Sequence, residues 1–223
     1  MFQWTEKFQA HNDWVTLFII LVFILSVYLY RKNPHQFKLL ISFWNSKSYF
    51  NIYYKEKFAN PKNKFNLILT FITLITFSLL SYFFYKKILV SLLGEISIFT
   101  FFVSISLVVI IRYEILKLIF ELSDQLELYQ LTIFKSISFY GMISLYTLFL
   151  FSIYHYQFPN NKELFFLITI LIICAVNLSH LIVYLRIIRI NLQNIVYLIL
   201  YLCAFKLAPW LWLYKSIYWT KAK

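Results

Sequence analysis

Apolar residues in this chain come in long unbroken runs, with neither the alternation of a half-buried strand nor the narrow stripe of a surface helix. Six runs stand out, at 14–30, 65–84, 92–111, 134–154, 164–184 and 195–214. All six fall within the range of about 17 to 25 residues that carries a helix across a hydrocarbon layer about 30 Å thick. Trp14, Trp210, Trp212 and Tyr214 sit at run ends, where amphipathic rings favour the headgroup layer. The pattern predicts an all-α polytopic membrane helix bundle of about six transmembrane helices, with residues 1–223 forming one transmembrane helical domain.

Two stretches between the runs also have helical patterning. In 31–64, Phe37, Leu40, Ile41 and Trp44 recur at helical spacing beside Lys38 and Lys47. That spacing predicts a short amphipathic helix on a membrane leaflet, where it meets either anionic headgroups or a protein surface. In 112–133, Ile115, Ile119, Leu122, Leu126, Tyr129 and Ile133 follow steps of four and three. They predict an apolar seam on a helix that continues from the third run without a breaker and carries Glu114, Glu121, Asp124 and Glu127. Four of the chain's nine acids are gathered there. The seam is expected to pack on the basic 31–64 segment or to dock a partner.

Composition sharpens the class. Residues of the AVILMFWYC set make up 61% of the 223, only 13% are charged, and the mean hydropathy is +0.72. A soluble domain is about half apolar and about a quarter charged, so both a water-soluble globule and a disordered chain are excluded. With two glycines, Gly-rich phosphate loops are excluded as well. The formal charge of +12 belongs to the loops and implies no nucleic acid, because membrane proteins concentrate Lys and Arg in cytoplasmic segments. Segments 31–64, 112–136 and 185–194 carry thirteen Lys and Arg, against seven on the alternate side. That count places 31–64 and 112–133 in the cytoplasm and the N-terminus in the periplasm. Lys215, Lys221 and Lys223 pull against the same placement for the C-terminus.

Candidate chemistry is sparse. His11, His35, His155 and His180 show no metal-ligand spacing, and neither Gly94 nor Gly141 sits in a nucleophile elbow. Cys174 and Cys203 lie inside apolar runs and imply no disulfide framework. No catalytic residue, metal or cofactor is expected. Polar residues within spans are functional candidates because charge in lipid is costly. Lys206 lies mid-run, three residues before Pro209, which should kink its helix. It either lines a polar cavity or snorkels to the headgroups. Glu95 either pairs with Lys206 or opens a helix N-terminus, where a carboxylate complements the dipole. His180 and Asn177, a turn or more before Arg186 and Arg189, either bind a headgroup phosphate or serve interhelical hydrogen bonding. Thr70, Thr73, Thr76, Ser97, Thr100 and Ser104 suit helix packing better than a transport path.

The stretch 197–215, reading Tyr-Leu-Ile-Leu-Tyr-Leu-Cys-Ala-Phe-Lys-Leu-Ala-Pro-Trp-Leu-Trp-Leu-Tyr-Lys, resembles the closing signature of a Bacteroidota membrane-protein family, domain-of-unknown-function family 4271. The order of parts is similar too. A first span is followed by a basic segment holding Ser48-Tyr49-Phe50-Asn51, and the acidic stretch 114–127 precedes a span that opens at Phe134-Lys135. An acidic residue is common in that family where this chain has Lys206. The resemblance implies a multi-pass protein of the bacterial inner membrane and supplies no catalytic residues. The leading expectation is a non-enzymatic subunit or accessory factor of an envelope-biogenesis or secretion assembly, in contact with membrane lipids and with a protein partner in the inner membrane or cytoplasm. The alternative is a small-molecule or lipid transporter, or a lipid-handling membrane enzyme.

The six-span topology is checked by labelling a cysteine appended at the C-terminus with a membrane-impermeant thiol reagent. Modification in intact cells is expected; protection in intact cells with access after lysis would defeat the topology.

Overall fold

The computed structural model describes residues 13–42, 46–53, 63–88, 97–122, 126–159 and 161–190. Every regular element among them is a helix: α1 (Asp13–Lys32), α2 (Pro34–Ile41), α3 (Ser46–Tyr53), α4 (Lys64–Ile88), α5 (Ile98–Leu122), α6 (Leu126–Gln157) and α7 (Lys162–Ile190). Helix α1 and helices α4 to α7 are long and apolar enough to cross a membrane. Helices are the natural outcome for such runs, because a segment in hydrocarbon has no water to bond and must pair its N–H and C=O groups within itself. The 195–214 run lies outside the described residues.

Helix α6 is the hub. At 32 residues it is about 48 Å long. Residues 132–139 are buried without a break, as expected of a helix enclosed on all sides. Helices α4, α5 and α7 pack along it, and α1 leans on α4. Leu69 of α4 sits directly on Gly141 of α6, so that a Cβ at 141 would fall among the Leu69 side-chain atoms. One turn on, the Thr73 and Ser144 hydroxyls meet at 3.5 Å. Thr70, Thr73 and Thr76 each return a hydrogen bond to the carbonyl four residues earlier, which lets polar side chains sit in an apolar helix without an unmet donor.

The basic segment packs on protein. Pro34 opens α2, where its missing N–H costs nothing. Phe37 and Leu40 are then buried, while Ile41 keeps part of its surface exposed. Trp44 lies outside the described residues. From α3, Tyr49 stacks on Phe134 at 5.8 Å and Phe50 meets Phe139 at 5.1 Å. Burial holds the Tyr49 hydroxyl above the ordinary tyrosine range, with the hydrogen bond from Ser138 pulling the other way. It therefore stays protonated and accepts from Ser138 at 3.3 Å.

The seam expected from 115 to 133 is divided between two helices. On one continuous helix, positions 112 and 140 would lie about 42 Å apart. Instead Arg112 bonds to Tyr140 and Phe120 meets Tyr129 at 6.3 Å, so α5 and α6 run antiparallel. Folding back buries Leu116, Phe120 and Ile133, which an extended helix would leave facing water. The basic segment docks on α6 through aromatic rings, and Glu114, Glu121 and Glu127 remain exposed.

Gly141→Leu should destabilise the protein by about 1–3 kcal/mol through overpacking, measured by denaturant unfolding in detergent. Leu69→Ala in the same chain should restore part of the loss. Simple additivity of the two would show that α4 and α6 do not touch at this point.

Candidate functional site

Three helices each contribute one polar side chain to a cluster. Arg112 of α5 donates through Nη1 to the Tyr140 hydroxyl of α6 at 2.8 Å. Its Nη2 lies 3.4 Å from His180 Nδ1 of α7. The Tyr140 hydroxyl is also in hydrogen-bond contact with His180 Nε2. Phe77 of α4 closes one side, edge-on to the Tyr140 ring at 6.2 Å. His180 is buried, whereas Arg112 and Tyr140 keep part of their surface.

The sense of each bond follows from what the groups can do. A guanidinium only donates, so His180 must present a lone pair at Nδ1 and carry its proton at Nε2. In that tautomer Nε2–H faces the Tyr140 oxygen, which can accept from both neighbours. The cluster is thus rich in donors around a planar cation. Such a fork suits phosphate, carboxylate or carbonyl oxygens better than it suits a metal ion.

Depth sets its surroundings. Tyr140 lies seventeen residues, about 26 Å, from the Gln157 end of α6. With an apolar layer about 30 Å thick, the cluster falls near one membrane boundary. Lys32 is at a similar level, because Thr16 bonds to Tyr156 at 3.0 Å and sixteen residues of α1 separate it from Lys32. The opposite boundary is marked by Trp14 against Tyr82 at 5.2 Å and by Lys87, which donates to the Pro159 carbonyl at 3.0 Å.

Of the residues singled out in the sequence, only His180 joins this cluster. Asn177 is exposed, and its amide donates to the Ile173 carbonyl of its own helix at 2.9 Å. Glu95, Asp124, Lys206 and Pro209 lie outside the described residues, as do the side chains of Leu122, Arg186 and Arg189. Leu126 is exposed with Glu121 and Glu127 at the far end of the α5–α6 pair, and Glu114 is exposed two residues beyond Arg112. Sequence reasoning missed Arg112 and Tyr140. The available signal was an arginine immediately after the third apolar run, counted there only as a topogenic charge.

The five apolar helices and the boundary cluster define a polytopic α-helical membrane protein. The family model described as domain of unknown function DUF4271 matches residues 15–217, and the chain belongs to that family. No curated protein and no solved structure matches the chain.

A double-mutant cycle with Arg112→Gln and Tyr140→Phe, read by unfolding in detergent, should give a coupling near the values of about 0.6 to 1.7 kcal/mol seen for interhelical hydrogen bonds in membranes. A coupling of zero would show that the two side chains do not meet.

Proposed function

We propose that the protein is a non-enzymatic subunit or accessory factor of an envelope-biogenesis or secretion assembly of the bacterial inner membrane, which it joins through the protruding end of the α5–α6 pair. One observation carries this reading. From Arg112, at the boundary level, α5 continues ten residues to Leu122, about 15 Å beyond the apolar layer. Along this extension Leu118 is 58% exposed and Leu126 50% exposed, and the carboxylates of Glu114, just past the boundary, and of Glu121 and Glu127, farther out, are exposed too. Within the bilayer, exposed leucine is solvated by lipid; beyond it, exposed leucine is left to water or to a protein surface.

Charge supports a basic partner. Glu121 pairs with Lys117 at 3.6 Å, but both are exposed, and such a pair contributes little. The carboxylates are therefore available to lysines and arginines on another chain. The positive-inside count puts this end in the cytoplasm and the N-terminus in the periplasm. None of residues 98–115 is buried within the bundle, so α5 also offers a membrane flank continuous with the docking end. The envelope is the natural setting for a protein of the Bacteroidota family pattern that the C-terminal stretch resembles.

A second reading, transport or processing of a lipid or small anion, is favoured by the Arg112–Tyr140–His180 cluster at the same boundary. One pull-down at native expression in mild detergent separates the two. Close interfacial charge pairs couple by about 1.5–7 kcal/mol, so Glu121→Lys with Glu127→Lys should abolish recovery of a stoichiometric protein partner, while His180→Gln should leave it intact. Recovery unchanged by the charge reversals but lost with His180→Gln would move the function to the cluster.

A further inference from the structure

A second polar group, at the boundary opposite the Arg112 cluster, stands beside a cleft. The ammonium of Lys87, at the end of α4, donates to the Pro159 carbonyl at 3.0 Å and lies over the rings of Tyr154 and Phe165 at 4.3 and 4.9 Å. These contacts hold a long side chain in one place and shield one side of its charge from water. Lys162 opens α7 close by, with Glu163 next to it. Both lysines and Glu163 line a cleft of about 530 Å³. Among the described residues neither lysine is in an ion pair.

Below this rim the cleft is apolar. Its wall is the outer face of α7, formed by Phe166, Leu167, Ile170 and Leu171, each about half exposed. From Lys162 to Leu171 is nine residues, about 14 Å along the helix. That is close to half of an apolar layer about 30 Å thick, so the wall reaches from the headgroups to about the mid-plane, the depth of one leaflet. The rim has two cations against one acid, and the N-terminal end of α7 adds partial positive charge. Asn161 already caps that end by accepting from the Leu164 N–H at 3.0 Å, so the lysines supply most of the attraction.

We propose that the Lys87–Lys162 cleft is a binding site for one anionic phospholipid, its phosphate between the two ammonium groups and one acyl chain along the α7 wall. A zwitterionic lipid brings its own cation to the same rim and is disfavoured there. An inorganic phosphate satisfies the lysines but leaves the apolar wall unused.

The test uses the whole protein in nanodiscs containing equal amounts of phosphatidylglycerol and phosphatidylcholine, followed by native mass spectrometry of retained lipid. Phosphatidylglycerol should be retained preferentially. A lysine near a membrane surface contributes to anionic-lipid attraction on a scale that makes Lys162→Gln lower retention about fivefold, and Lys162→Arg should restore it. Leu167→Trp, which fills the wall and leaves both lysines in place, should also reduce retention and keeps the test open if Lys162→Gln fails to fold. Equal retention of the two lipids, or retention unchanged by Lys162→Gln, would overturn the proposal. So would displacement of the lipid by millimolar sodium phosphate, because the apolar wall would then contribute nothing. Unchanged retention in Leu167→Trp would likewise count against it, showing the cleft to be filled by something other than an acyl chain.

Discussion

Lipid chains compete with every apolar side chain on these helices, so burying leucine against leucine gives much less advantage than it would in water. What remains to hold helices together is close packing and the hydrogen bonds that lipid cannot supply. The contact of Leu69 with Gly141 is where the bundle meets that requirement most directly. A residue with no side chain lets α4 settle onto α6, and the Thr73 and Ser144 hydroxyls then meet one turn away. With α4 seated, α6 has the remaining faces available for α5, α7 and the α2–α3 segment, and its 132–139 end becomes buried all round.

The same arrangement places the polar groups. Because α5, α6 and α7 surround one level of the bundle, Arg112, Tyr140 and His180 arrive together although no two are closer than 28 residues in the chain. The cluster satisfies a cation at the edge of the hydrocarbon layer, where leaving it without acceptors is expensive. At the other boundary Lys87 is held by a carbonyl and two aromatic faces. Each membrane surface therefore carries a fixed cation, one surrounded by three helices and one opening onto a cleft in the outer face of α7. Between these surfaces Thr70, Thr73, Thr76 and Thr169 each bond to the backbone of their own helix, so these hydroxyls are satisfied as donors without a partner on another helix.

Much of the candidate chemistry was legible only in part, for reasons that can be named. His180 was visible because a histidine in an apolar run stands out. Its partners were not, since a hydrogen bond across three helices leaves no periodic trace in any one of them. Asn177, one turn away on the same helix, looked equally polar but satisfies its amide on Ile173. The seam from Ile115 to Ile133 kept its heptad-like spacing through a reversal of the chain, because spacing reports which face is apolar and is silent on whether the axis turns. The sequence Ser123-Asp124 ahead of Glu127, the composition of a helix start, was the local signal for a break.

Run length, apolar content and the distribution of Lys and Arg determined by themselves that this is a multi-helix membrane protein, since the bilayer imposes a fixed thickness and forbids unpaired backbone whatever the neighbouring residues are. The closing signature marked the family for the same reason, being contiguous. Tertiary structure alone decided that α6 is the hub, that α5 folds back upon it, that the basic segment rests on Phe134 and Phe139, and that Arg112 and Tyr140 stand with His180. Those outcomes depend on which helix faces meet. In an apolar solvent that choice rests on a missing Cβ and a few hydrogen-bond partners, details too small and too far apart in the chain to register in a hydrophobic pattern.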